Sequence, residues 1–288
     1  MKELKILGIV IFFTLVVYVG VEPFAHSQMH PSVAPADFAF KDLPAQTKTG
    51  DATKGAQTFM SAGCVGCHSV KSQGMPAPMD AAAASASFGV TPPDLSTAGY
   101  LYDANFLVAM IKNPAHAMKL EHKFNETRPF PMSQFYGVGG DKDQEIADIV
   151  AYLQSIAPKK LSDKEVFENA CQRCHSLKYE KLSATSDKGA LKKYLGSNPP
   201  DLSMMIRSKG AEYLENFINN PQRELKGTAM PRVGLKKKTQ EQVVAYLEKT
   251  GDSKKDKRDA LGVKVIGFMI IFTLLAYLWK VKIWRDIH

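Results

Sequence analysis

The middle of this chain repeats itself, and no other feature constrains the fold as much. Cys64-Val-Gly-Cys67-His68-Ser69 returns 107 residues later as Cys171-Gln-Arg-Cys174-His175-Ser176. At the same offset Pro92-Pro93-Asp94-Leu95-Ser96 matches Pro199-Pro200-Asp201-Leu202-Ser203, Phe106-Leu107 lies over Tyr213-Leu214, and Asn113-Pro114 matches Asn220-Pro221. The spacing then contracts, so that Met132 corresponds to Met230 and Ala151-Tyr152-Leu153 to Ala245-Tyr246-Leu247. Two copies of one domain, 51–158 and 159–252, account for all of these matches.

Each copy reads as mostly helical. Short helices are expected over Thr53–Met60 and Asp163–Phe167, ahead of the cysteine pairs. Closing helices are expected over Gln144–Ile156, where Ile146, Ile149, Val150 and Leu153 recur on one face, and over Thr239–Lys249. No run alternates strongly enough for a strand. Ala81–Ala84 and Met75–Met79 read as surface loop, and residues 23–50, with their prolines, as an extended arm.

Apolar segments flank the repeat. Ile6–Val21 is 16 residues without a charge, behind Lys2 and Lys5. The nearest small-residue cleavage pattern, Ala34-Pro-Ala36, lies well past it and contains proline, so residues 1–22 read as a retained anchor rather than a removed signal. The second segment runs from Leu261 to Trp279 and on to Trp284, with Lys264 able to snorkel and an interfacial belt of Trp279, Lys280, Lys282 and Trp284; a spanning helix is expected over 261–284. Basic residues lie on both of its sides and do not orient it.

With 45% hydrophobic and 23% charged residues, the chain is neither disordered nor polytopic. The net charge of +8 is uneven, −2 over residues 38–158 and +9 over 159–258. No interleaving of aromatic and basic residues accompanies the excess, so nucleic acid is not an expected partner. A solvated surface, or a docking face for an acidic partner around Lys236–Lys238, is the reading it supports.

Cys-x-x-Cys-His has a specific chemistry. Two thiols one turn apart add to the two vinyl groups of haem, and the adjacent imidazole faces the iron. A tetrahedral zinc site needs two more ligands near each motif, and a redox dithiol does not need the histidine. Two copies, each behind an export segment, predict two covalently bound haem c groups held by Cys64, Cys67 and His68 and by Cys171, Cys174 and His175. The second copy contains no histidine other than His175, so its sixth iron ligand has to be something else; Met230 is the best candidate, with Met204 and Met205 as core-forming rivals. By repeat correspondence Met132 takes that role in the first copy, where His116 and His122 compete with it. Met75, Met79, Met110 and Met118 read as packing or loop residues. Methionine opposite histidine raises the potential and leaves no vacant coordination position, which argues against peroxidase, nitrite or oxygen chemistry. The Pro-Pro pairs either place a backbone carbonyl at the imidazole N–H or only stiffen a turn.

The motif pair, the Pro-Pro-Asp-Leu loops, the late methionines and the Tyr-Leu helices resemble the class I cytochrome c fold, once in each half. The resemblance implies an all-α chain of tandem cytochrome c domains between two transmembrane helices. It also implies haem attachment outside the cytoplasmic membrane, hence a bacterial inner-membrane protein with its haem domains in the periplasm. A C-terminal membrane helix after the haem region is similar to the cytochrome c1 subunit of quinol–cytochrome c reductases. The partners so implied are cytochrome b and a Rieske iron–sulfur protein as donor side, and a soluble cytochrome c or terminal oxidase as acceptor. The alternative is the two-haem subunit of a haem-copper oxidase, which is anchored at its N-terminus. On either reading the chain relays electrons and has no independent catalytic site.

Overall fold

The structure, a computed structural model, describes residues 2–29 and 35–287. The chain divides into a unit of residues 1–36 and a unit of residues 37–288. The first unit is helical: α1 (Lys2–Leu15), a π-helical stretch Val16–Val21, and α2 (Glu22–Met29). The side chains of residues 3–29 are exposed, and the stretch has the length and composition of a candidate membrane span. The expected extended arm is corrected here. Residues 22–29 continue the helix, residues 30–34 lie outside the described part, and the stretch beyond residue 36 belongs to the second unit, whose core takes in Phe40 and Leu43, 1% and 6% exposed.

The second unit folds as the repeat dictates. In the first half α3 (Ala52–Ser61), α4 (Ala81–Phe88), α5 (Ala98–Leu101), α6 (Ala104–Lys112), α7 (Pro114–Ala117) and α8 (Lys142–Ser155) follow in order. In the second, α9 (Asp163–Ala170), α10 (Lys188–Leu195), α11 (Met205–Lys209), α12 (Ala211–Asn219), α13 (Pro221–Glu224) and α14 (Lys237–Gly251) follow in the same order. Among the described residues there is no strand, only isolated bridges.

Local chemistry sets the helix ends. Asp51 caps α3 by accepting from the amides of Thr53 and Lys54, Asp141 caps α8, and Ser162 with Glu165 forms a capping box on α9. The Ala81–Ala84 loop expectation is overturned in the same way. Asp80 accepts from the amide of Ala83 at 2.8 Å to start α4, and Gly89, at φ +81°, ends it. Its repeat mate α10 is bounded identically by Asp187, 2.8 Å from the amide of Ala190, and Gly196 at φ +82°.

Each half is held by its first and last helices crossing. Phe59 of α3 packs against Tyr152 of α8 with ring centroids 5.5 Å apart, and Phe167 of α9 against Tyr246 of α14 at the same 5.5 Å. In the first half the helices meet at Gly55, where an added Cβ would lie 1.9 Å from the carbonyl oxygen of Asp148.

The halves share backbone bonds. Asp103 N donates to Gly234 O at 2.9 Å, Lys236 N to Leu101 O at 3.0 Å, and the Thr239 hydroxyl to Leu101 O at 2.8 Å. Arg232, 2% exposed, donates through Nη1 to both carboxylate oxygens of Asp42 at 2.8 Å and through Nε to Ala117 O at 2.9 Å. Burial works to raise the pKa of Asp42, but hydrogen bonds from Arg232 and Lys119 outweigh it and hold the carboxyl below its ordinary value.

After α14 only residues 252–254 intervene before α15 (Lys255–Ile287), a 33-residue helix. At 1.5 Å per residue it is roughly 50 Å long, more than the ~30 Å hydrocarbon core of a bilayer. Its first turns are clamped onto the end of α14. Arg258 donates to both oxygens of Asp252 at 2.8 and 2.9 Å, and Lys255 pairs with Glu248. Both this helix and the N-terminal one are long and apolar enough to cross a membrane.

Candidate haem-attachment sites

Both motifs sit at the end of the first helix of their half. Gly63, at φ +71°, lets the chain leave α3 and enter a 3-10 turn over Cys64–Gly66. The amides of Cys67 and His68 then donate to Cys64 O at 3.2 and 3.0 Å. The second motif repeats this, Cys174 and His175 donating to Cys171 O at 3.1 and 3.0 Å. Two thiols and an imidazole are thereby gathered on one turn of backbone.

The imidazoles are fixed from behind. His68 Nδ1 lies 3.0 Å from Pro93 O, and His175 Nδ1 lies 2.9 Å from Pro200 O. A carbonyl oxygen only accepts, so Nδ1 carries the proton in both rings and Nε2 keeps the lone pair a metal needs. Burial lowers both histidine pKa values, against the opposing pull of the proline carbonyls, and keeps the rings neutral. The Pro-Pro-Asp-Leu loops are tied back onto the motifs they serve, Leu95 N donating to Ser69 O at 2.9 Å and Leu202 N to Ser176 O at 3.0 Å. In the second copy Asp201 also accepts from the Ser176 hydroxyl at 2.8 Å and the Lys178 amide at 3.0 Å. Of the two readings left open by the proline pairs, the carbonyl placement is the one the geometry shows.

The four thiols are free. Burial pushes the Cys64 and Cys174 thiols up, and Cys171 up to about 12, the opposite of the lowered pKa of a reactive dithiol. Among the described residues no group of three or more His, Cys, Asp or Glu side chains is placed to hold a metal ion. The donor set of each motif, two thiols and one Nε2 lone pair, fits a haem with its two vinyl groups and its iron.

Met230 is half-buried in the run before α14 and packs against the core. Met132 is half-buried in the irregular stretch between α7 and α8, where Phe135 N is pinned to Ile111 O at 3.1 Å. Met205 begins α11 and packs against the core, whereas Met204 is exposed, contrary to its expected core role. His116 and His122 are at the surface and line one open cleft with Asp42 and Lys119; His116 Nδ1 is engaged by Glu121 at 3.0 Å. The basic run is not a uniform face either. Lys237 and Lys238 are exposed, but Lys236 is half-buried and donates to Gly99 O at 2.6 Å.

The backbone oxygens of Pro93 and Pro200 were legible in the repeated Pro-Pro signal as one of two readings. Arg173 was not legible as a functional residue: its Nη1 reaches Thr91 O in the opposite half.

A family model described as Cytochrome c matches residues 52–157 and 164–251, so each match runs from the first helix of a half to its last. One described as Cytochrome C1 family matches residues 234–287, which takes in α14 and α15. No curated protein matches the chain. A solved chain described as "Hyperthermophilic respiratory Complex III" is similar to it at 22% identity and a TM-score of 0.35, over 65% of this chain and 86% of that one.

Proposed function

Because this chain belongs to the cytochrome c family, matching it in both halves, we propose that it is a two-haem, membrane-anchored relay subunit of a quinol-oxidising respiratory complex. The observation that carries the reading is the duplicated site. Two Cys-x-x-Cys-His turns each have the ring proton tied to a proline carbonyl and the opposite nitrogen left for iron. Bound haem c supplies a one-electron iron couple and needs no acid or base from the protein.

The chain's residues have holding and tuning roles. Cys64 with Cys67 and Cys171 with Cys174 anchor the two groups covalently. His68 with Met132 and His175 with Met230 would be the side chains that bind the two irons. The proline carbonyls orient each imidazole and strengthen it as a donor. The likeness of residues 234–287 to the cytochrome c1 family supports a place beside a cytochrome b and a Rieske protein, with a soluble cytochrome c or an oxidase as acceptor. Two apolar helices support anchoring in the inner membrane with the haem halves on the periplasmic side.

Extraction in mild detergent tests this. Intact-mass measurement should show two haem increments, and a cytochrome b and a Rieske protein should co-purify. A single increment would refute the two-haem relay, and an oxidase core in place of cytochrome b would give the chain to an oxidase.

A further inference from the structure

The two motifs differ at the residue before the second cysteine, which is Gly66 in the first and Arg173 in the second. Gly66 is exposed, and a Cβ there would meet nothing within 4 Å. Arg173 instead reaches the other half. Its Nη1 lies 3.5 Å from Thr91 O, and its Nε is buried with no hydrogen-bond partner among the described residues. Thr91 directly precedes Pro92-Pro93, the pair whose last carbonyl receives the His68 ring proton.

The backbone of Arg173 is bound to the same place. Ser186 N donates to Arg173 O at 3.1 Å, and Thr91 N donates to the Ser186 hydroxyl at 2.9 Å. The Thr91 hydroxyl lies 3.2 Å from that of Ser186 and 3.0 Å from that of Ser85. Ser85 and Ser186 are 0% and 3% exposed, so this is an interior seam of hydroxyls between the halves. The cation acts on phenols of both: burial raises the pKa of Tyr102 and of Tyr194, and the Arg173 charge opposes it in each. None of the described ion pairs supplies Arg173 with a carboxylate.

We propose that Arg173, although it belongs to the second motif, is a positioning and potential-setting residue of the first haem site. The proposal rests on the reading that each motif carries a haem. An uncompensated cation at the loop that holds His68 favours the iron state with less positive charge, so it raises the first haem's potential. The asymmetry has a simple source. Only the second motif turns this position toward the opposite half; at Gly66 an added Cβ meets open space.

The test is a spectroelectrochemical titration of the full-length protein in detergent, comparing wild type, Arg173→Gln, Arg173→Met and Arg173→Lys. The first haem is identified by the spectral change in His68→Met. In the neutral variants its oxidised-to-reduced ratio at the wild-type midpoint should rise about three- to tenfold, tenfold corresponding to about 59 mV for one electron. Arg173→Lys should stay within about twofold of wild type, because the charge is kept. With two haems present by mass, an unmoved first midpoint in the neutral variants, or an equal shift in Arg173→Lys, overturns the proposal alone. If neither neutral variant accumulates, Arg173→Lys decides it: a retained midpoint supports the charge role, a displaced one refutes it. Fewer than two haems in the wild type would refute the two-haem reading, and this inference with it.

Discussion

The Nδ1 of His175 and the carbonyl oxygen of Pro200 lie 2.9 Å apart, and the bond they make belongs to the backbone, so no side-chain substitution removes it directly. It can be loosened by freeing the loop. Pro199→Gly with Pro200→Gly should weaken the ring as an electron donor and raise the second haem's midpoint by on the order of tens of millivolts. A potentiometric titration in which neither midpoint moves would reduce the proline pair to a stiff turn.

Met230 should be felt more strongly. Removing the thioether in Met230→Ala opens the sixth position, lowers the second haem's potential by on the order of 0.1 V, and brings new ligand-exchange bands into the visible spectrum. An unchanged titration and spectrum would exclude Met230 as a ligand. Met132→Ala should do the same to the first haem.

The crossing of α3 and α8 has no room for a side chain at Gly55, where a Cβ would meet the Asp148 carbonyl at 1.9 Å. Gly55→Ala should therefore destabilise the first half by about 2–4 kcal/mol, the helices being forced apart. Thermal unfolding followed at the Soret band should show the loss; a Tm within a degree of wild type would show that the crossing yields easily.

Asp42 gives a pH signature. Its folded pKa is lowered, so the stability from its pairing with Arg232 and Lys119 is present above the unfolded carboxyl value of about 3.9 and is lost as pH falls through the folded value. Asp42 is 45% exposed on its side chain, which screens the pair, so Asp42→Asn should cost only about 1 kcal/mol at neutral pH. Denaturation of the two proteins should converge as the pH drops below 4. A difference that persists there would mean that charge is not the cause.

What could be read before the fold was known followed from periodicity. The closing helices carry Ile146, Ile149, Val150 and Leu153 on one face, and that face is buried in the structure. α4 escaped notice because Ala81–Ala84 has no polar face to contrast with an apolar one. Its boundaries, Asp80 and Gly89, were nonetheless visible as repeat mates of Asp187 and Gly196. Phe40 and Leu43 were hidden in a segment whose composition is that of a linker, and they are buried only because another part of the chain comes to meet them. Arg173 was hidden for the same reason. A residue's neighbours across a seam leave no trace in local pattern, and Lys236, expected on an open face, is held by Gly99 across that seam as well.

The joint between α14 and α15 leaves the haem-bearing part no slack. Three residues and the Arg258–Asp252 and Lys255–Glu248 pairs make a braced stalk where many membrane-tethered carriers have a long leash. On the proposed relay reading, a module mounted this way is a fixed landing stage rather than a swinging arm, and its exchange partners do the travelling.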